Sequence, residues 1–258
     1  MHKSVGFIGS GRIVRIMLGG WRKAGKLPSQ IVVSDVNTEA LEQLHREFPN
    51  INIAVNDNTQ SAACDLVFVA LHPPVLKDTL ASLTGVIKPN AMVISLAPKM
   101  SIATLSQILG GFQRIVRMNP NAPSIVNQGF NPIAVSAAIS SAEKAELIEF
   151  LSALGQCPEV PEDHIEAYAI ITAMGPTYLW FQLYELLELG QSFGLSESEL
   201  AAGLSAMING AAATMFKSGL TPAQVMDLVP VKPLGEHEDT IKEIYHSKLT
   251  GLYQKLKN

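Results

Sequence analysis

The stretch VGFIGSGRIV at residues 5–14 limits what this chain can become more than any other. Val5, Phe7 and Ile8 read as a short buried strand, Gly9 and Gly11 permit a sharp turn, and residues 12–24 carry a helical pattern. Free N–H groups at the helix start then face outward, and glycine lets the backbone come close to what they bind. That is a cradle for a diphosphate. A second apolar run, IVVSD at 31–35, ends on Asp35, where an acidic side chain accepts hydrogen bonds from a ribose. A ligand-free strand-to-helix turn would use the same glycines, but the strand, helix and strand around the loop favour the cradle.

The pattern then alternates. Residues 38–48 repeat apolar residues at helical spacing (Leu41, Leu44, Phe48), 51–55 form a short strand, and a polar helical turn starts at Asp57. The run 65–71, DLVFVAL, is apolar on both faces, as a central parallel strand is. Pro73 and Pro74 open a helix, where the missing N–H is no loss. Strands at 91–97 and 114–118 flank a helix at 101–109 with Ser101 as its N-cap. A strand at 132–137, a helix over 141–154 and a strand near 156–160 complete a first domain, residues 1–160. This alternation predicts an α/β, Rossmann-like doubly wound sheet.

From 161 to 258 helical periodicity takes over and predicts an all-α second domain. One long helix covers about 163–193, bent at Gly175-Pro176 because Pro176 removes an internal hydrogen bond. Gly194 ends it, and Ser196 with Glu199 forms a capping box for a helix running to Lys217. Thr221-Pro222 opens a third helix and 239–256 forms a last one. Ala201, Ala202, Gly203, Ala206, Gly210, Ala211, Ala212 and Ala213 stud the helix after Ser196. Small residues allow close helix approach, either within the chain or in the core of a homodimer.

With 258 residues, 47% of them hydrophobic and 16% charged, the chain can fill a sizeable core. A net charge of −4 offers no basic stripe, which argues against a nucleic-acid partner. Two cysteines, Cys64 and Cys157, have neither metal-ligand spacing nor the density of a secreted scaffold. No run approaches the ~18 apolar residues that span a bilayer, and the N-terminus lacks a signal-peptide pattern. The expectation is a soluble cytoplasmic protein with no metal and no membrane partner.

Four segments fall at the carboxyl ends of the parallel strands, where ligands bind in such sheets: 9–13, 34–37, 70–74 and 97–100. Together with ALHPP, ISLAPKMSIATL, VRMNPNAPSIVNQG and TAMGPTY, they give a chain that over nearly its whole length resembles the pyrroline-5-carboxylate reductase family. SIATL and the R-M-N-P-N-A-P run are its most specific pieces. The resemblance implies an N-terminal dinucleotide domain, a helical domain that interlocks with a second subunit, and hydride transfer from NAD(P)H to a cyclic imine. Residue by residue it implies a pyrophosphate loop of Gly9, Ser10, Gly11, Arg12 and Ile13. Asn58 falls on an adenosine-side contact; Ala70, Leu71, His72 and Pro73 fall on the strand end bordering the cofactor; Ala97, Pro98 and Asn121 lie by the nicotinamide. Asn58 and Asn121 are equally good turn residues. Ser34 and Asp35 bear on the ribose: the acid repels a 2′-phosphate and favours NADH, whereas Ser34, Asn37 and Thr38 are small polar residues able to accommodate one.

The departures from the family are as informative. Val14 stands where the loop's third glycine or alanine is usual. His72 replaces a lysine, and Lys99 replaces a glycine, where it either serves a substrate or points to solvent. At the substrate segment, Met174, Gly175, Pro176 and Thr177, the family's SGSGPAY becomes TAMGPTY, with Met174 intruding where a small hydroxyl residue is usual, and DLVPVKPLGEHEDTI at 227–241 replaces a glycine- and threonine-rich loop. Pro230 and Pro233 have no N–H to offer a carboxylate, so a backbone clamp there is lost or rebuilt. Glu236, His237, Glu238 and Asp239 either disfavour an anionic substrate or simply begin a helix. No proton donor is assigned; Tyr178, Thr177, Lys99 and Glu236 are the candidates. The expected function is an NAD(P)H-dependent oxidoreductase acting on a cyclic imine in a reaction like that of proline biosynthesis. The alternatives are a reductase of the same fold for another imine, a keto acid or a deazaflavin coenzyme, and a dinucleotide-binding protein without catalysis.

Overall fold

The strands expected up to residue 137 form within a residue or two of their expected ends, while the one expected near 156–160 shrinks to two residues, Gly155–Gln156, outside the main sheet. The structure, a computed structural model, describes residues 3–257. In chain order the elements are β1 (Val5–Ile8), α1 (Arg12–Lys23), β2 (Ile31–Asp35), α2 (Thr38–Glu47), β3 (Asn52–Val55), α3 (Asn58–Ala62), β4 (Leu66–Val69) and α4 (Pro73–Ser82). There follow β5 (Met92–Ser95), α5 (Ile102–Ile108), β6 (Ile115–Met118), β7 (Gly129–Phe130), β8 (Ile133–Val135), α6 (Ser141–Ser152) and β9 (Gly155–Gln156). A seven-stranded sheet has the order β3-β2-β1-β4-β5-β6-β8. Its pairs are parallel except the last, where β8 runs antiparallel to β6. The strand β7 is absent from the sequence expectation; it pairs with β9 over two residues only, too short a run to carry an apolar period.

Both faces of the sheet are covered, which is why its strands are apolar throughout. On one face Phe7, Phe68 and Trp21 are fully buried, with Phe7 and Phe68 stacked at 4.9 Å and Trp21 stacked on Phe150 at 4.6 Å. On the other, Ile8, Val67, Val69 and Val93 pack against Leu76, Leu80 and Leu105. Each such side chain contributes roughly 1.5–3 kcal/mol of transfer free energy. Val14 is fully buried in the first of these layers, so the larger residue is absorbed as core.

Asp65 ties the first and fourth strands at their starts. Its Oδ2 accepts from the N–H and Oγ of Ser4, and its Oδ1 from Lys88 Nζ at 2.9 Å. Lys88 and the Ser4 N–H hold the carboxyl down at about 2, against an ordinary 3.8. A group whose folded-state pKa is depressed stabilises fully above its unfolded value and loses that contribution as the pH falls through the folded one. Between 3.8 and about 2 the wild-type chain should therefore lose stability faster than Asp65→Asn. Urea midpoints at stepped pH check this, and parallel slopes would rule the tie out.

The C-terminal half is helical, as expected, but the single helix over 163–193 is not. A 3₁₀ turn, Glu162–His164, leads into α7 (Ile165–Tyr168), which widens into a π turn at Ala169–Ala173. After Met174 and Gly175 the chain restarts as α8 (Pro176–Ser192), with the proline in its first turn. The helices α9 (Glu197–Lys217), α10 (Pro222–Asp227) and α11 (Glu238–Lys257) follow. Capping boxes start α9, from Ser196 and Glu199, and α10, from Thr221 and Gln224. Within this half α8 meets α9 where Gly190 leaves room for Leu200.

The chain divides into two compact units at a different place from the expected 160/161. The first unit runs to Met174 and regains the residues from Leu252 onward; the second is Gly175–Gly251. The displacement has a physical cause in β6 and the segment that continues it. Arg117, Asn119 and Asn121, at alternate positions, hold the helical segment 162–173 to the sheet. Arg117 donates to Glu162 and Glu166, Asn119 Nδ2 to the carbonyl of Ile165, and Asn121 Nδ2 to that of Thr172 at 3.3 Å.

Candidate active site

Strand order reverses between β1 and β4, and the crevice outside their carboxyl ends is the ligand position in open parallel sheets. The register sets Ile8 beside Ser34 on one side and Val69 on the other, so Gly9, Asp35 and Ala70 leave the sheet side by side. Gly9 has φ +101°, and a Cβ there would lie 2.6 Å from the carbonyl oxygen of Ala70. Only glycine fits this turn. Gly11, the N-cap of α1, has open space where a Cβ would stand. Ser10 is buried between the two, Arg12 is exposed at the helix start, and Ile13 is half-buried against the core. The cradle has the form that a diphosphate requires: exposed N–H donors at a helix start and no side chain over them.

Asp35 does more than its sequence position implies. Its Oδ2 accepts the N–H and Oγ of Ser10, both at 2.7 Å, and its Oδ1 accepts the Asn37 N–H at 2.9 Å. Burial opposes ionisation, but the hydrogen bonds from Asn37 and Ser10 outweigh it and the carboxyl lies below the ordinary range. The loop is thus fastened to the end of β2 by a charged group. Asn37 also caps α2 through Ala40 N–H at 3.0 Å, and Val36 beside it is 74% exposed. Ser34 is fully buried, and its single hydroxyl proton points to Asn58 Oδ1 at 2.8 Å.

The remaining predicted residues are distributed as follows. Ala70 and Leu71 are half-buried, His72 is the exposed N-cap of α4 with no side-chain cap, and Pro73 is the first residue of that helix. Ala97 is buried with its N–H 3.4 Å from Ser95 Oγ, and Pro98 is half-buried. Lys99 has φ +71° and is exposed, lining a cavity of about 520 Å³ with Ser101, Arg117, Glu162 and Glu166. Asn121 is 6% exposed, and both ends of its amide are used: Oδ1 accepts Phe130 N–H, and Nδ2 donates to the π turn. The structure thus gives Asn121 the role of a strut.

Met174 N–H donates to the carbonyl of Ala169, closing the π turn. Gly175 starts α8, with its carbonyl accepting from Tyr178 N–H at 2.9 Å. The Tyr178 ring meets Tyr245 edge-on at 5.9 Å, and burial together with Tyr245 pushes its phenol pKa up. Glu236 lies in a 3₁₀ turn, Gly235–His237, 3.5 Å from His237, while Glu238 and Asp239 open α11 and pair with Lys242. Of these acids, Glu238 and Asp239 lie in the first turn of α11.

The group that sequence reasoning passed over is Arg117 with its two glutamates. Arg117 is 3% exposed and Glu166 7%. A usable signal was present, because VRMNPN places Arg117, Asn119 and Asn121 at period two in an otherwise apolar run.

Comparisons with known proteins agree with this geometry. Residues 4–99 match the family model described as NADP oxidoreductase, coenzyme F420-dependent. The pyrroline-5-carboxylate reductase of Escherichia coli is 24% identical over 89% of this chain and 85% of its own. That of Pseudomonas aeruginosa is 26% identical over 98% and 93%. Among solved structures, the Plasmodium falciparum pyrroline carboxylate reductase with NADP bound superposes with a TM-score of 0.83 at 20% identity, covering 99% of this chain and 97% of that one. The pyrroline-5-carboxylate reductase of Coxiella burnetii gives 0.71 at 25% identity, covering 100% and 95%. From end to end this chain is similar in sequence to pyrroline-5-carboxylate reductases and it shares their fold; it is an NAD(P)H-dependent oxidoreductase.

Proposed function

We propose that this chain reduces the C=N bond of a cyclic imine, pyrroline-5-carboxylate being the first substrate to try. The intact cradle carries the reading: Gly9 and Gly11 leave the backbone donors uncovered, and Asp35 fastens the loop between them. When bound, the dihydronicotinamide supplies the hydride. The chain's own part is placement. Ser10 through Ile13 hold the diphosphate, Asn58 contacts the adenosine side, and the buried Ala97 with Pro98 borders the far end of the cleft. Oxidation of NADH and NADPH by purified protein with pyrroline-5-carboxylate tests the reading. Cofactor binding without turnover would exclude that imine and leave the other imines, the carbonyl substrates and the non-catalytic role.

A second substrate reading has its own observation. Residues 228–234 expose Leu228, Val231 and Leu234 at 56%, 73% and 65%, around two prolines that offer no N–H. Such a segment suits an imine or carbonyl compound with an apolar body, and a panel of these compounds separates the two readings.

NADH is the proposed reductant. The ionised Asp35, with Glu39 in the first turn of α2, faces the ribose end with negative charge, and residues 34–38 contain no cation. Asp35→Ser should shift the ratio of kcat/KM for NADH over NADPH toward NADPH by about tenfold or more, a change of ~1.4 kcal/mol. An unchanged ratio would remove Asp35 from the discrimination.

The working form is proposed to be a homodimer through the helical unit. Exposed apolar residues concentrate there: on α8 and α9, Phe181, Tyr184, Met215 and Phe216 are 63–77% exposed. Sedimentation of Phe181→Glu beside wild type tests this. Among the described residues no helix is long and apolar enough to cross a membrane. A cytoplasmic location is proposed with it, supported by two free, buried cysteines, Cys157 with its pKa pushed up to about 12 by burial.

A further inference from the structure

The loop that follows β5 has a support that the dinucleotide reading leaves unused. Leu96 N–H donates to the carbonyl of Val69 at 3.0 Å, which anchors the loop's start on the sheet. Its end is anchored by one carboxylate oxygen: Glu162 Oε1 accepts the N–H of Ile102, first residue of α5, at 2.6 Å. The same oxygen receives Arg117 Nη1 at 3.2 Å, and Arg117 is fixed from its other side by the buried Glu166.

Between the two anchors Lys99 sits at φ +71°, which a lysine keeps only when its surroundings over-determine it. The Lys99 side chain itself is exposed and lines, with Ser101, Arg117 and Glu162, an open cavity of about 520 Å³, while Ala97, Met100 and Ile102 on either side of it pack on the core. The hydrogen bond from Ile102 to Glu162 adds a directional constraint at that end of the turn to the packing of Met100 and Ile102.

We propose that Glu162 is a positioning residue for the reduction: by holding Ile102 it fixes Ala97 and Pro98, and so the place of the nicotinamide ring. This rests on the reading above that those two residues border the ring. In this role Glu162 acts on the reaction through the loop.

Two variants separate this role from general stability. Glu162→Ala removes the acceptor but leaves Arg117 paired with Glu166; Glu162→Gln keeps an oxygen that accepts from both Ile102 and Arg117. Hydrogen exchange across residues 97–105, measured without cofactor, should accelerate at Ile102 in the alanine variant and stay at the wild-type rate in the glutamine one. The alanine variant should drop in kcat with NADH about 10- to 100-fold. Its affinity for ADP-ribose, which lacks the nicotinamide, should stay within about threefold of wild type, since distant sites do not couple.

Wild-type exchange at Ile102 in Glu162→Ala would overturn the proposal, as would parallel losses of NADH and ADP-ribose binding, or a glutamine variant as impaired as the alanine one. Wild-type protein that binds neither NADH nor NADPH would instead overturn the dinucleotide reading, and this proposal with it.

Discussion

Gly11→Ala should leave the melting temperature of this chain nearly where it is and cost it most of its affinity for NADH. The two effects separate because the position has two environments. In the chain itself a Cβ at Gly11 meets nothing within 4 Å, and its backbone, at φ −66°, is ordinary for alanine. The loss of stability should not exceed about 1 kcal/mol, the scale of an exchange at a helix N-cap. A diphosphate lying on the N–H groups of α1, however, occupies the space into which that methyl projects. An affinity loss of roughly 10- to 100-fold, about 1.4 to 2.7 kcal/mol, is expected. Gly9→Ala should differ in kind: φ +101° and the Ala70 carbonyl at 2.6 Å make it a strained substitution whether or not cofactor is present. Calorimetric melting alongside NADH titration of both variants distinguishes them. Full NADH affinity in Gly11→Ala would mean that the cradle is not where the diphosphate lies.

The second large effect is expected at Arg117. Its guanidinium is buried between Glu162 and Glu166, and Glu166 is itself only 7% exposed. Arg117→Met leaves that carboxylate without its cation, and breaking a buried pair from one side costs about 3–5 kcal/mol. Removing the second charge as well, in Arg117→Met with Glu166→Leu, should recover most of the loss, because two well-packed apolar residues replace a pair that was costly to desolvate. Urea denaturation of the single and double variants checks both statements. A single variant within about 1 kcal/mol of wild type would show that Glu166 takes up a proton or finds water at little cost.

Which features were readable from the amino-acid sequence follows from how local their causes are. Ser101, and Ser196 with Glu199, start helices in the structure as their spacing predicts, since a cap involves residues three apart. The doubly wound sheet was equally legible, because burial on both faces leaves uninterrupted apolar runs. The π turn at Ala169–Ala173 was not: the local sequence marks only the break at Gly175-Pro176, and the contacts of Asn119 and Asn121 with Ile165 and Thr172 join residues about fifty positions apart. The displaced unit boundary comes from those contacts. At the candidate site the glycines and Asp35 could be read from position, whereas Asn58 came only from the family resemblance. That Asp35 fastens the loop, and that Asn121 spends its amide on the π turn, depended on hydrogen bonds between distant residues. The segment 227–241 showed only what it lacks, because prolines and exposed apolar side chains exclude a backbone clamp without specifying its replacement.

The return of the chain to the first unit at Leu252 makes the helical unit, topologically, a closed excursion of 77 residues rather than a tail. A tail hangs from one joint; an excursion is bound at both its departure and its re-entry. The re-entry is small, with Leu256 buried and Lys257 beside Lys99 at the rim of the cavity. Cutting the chain after Gly251 would therefore turn a loop into a tether, releasing the entropy that closure had withheld, which grows only slowly with length. It would also uncover the rim next to the strained lysine, so a change made at the far end of the sequence would be felt at the turn after β5.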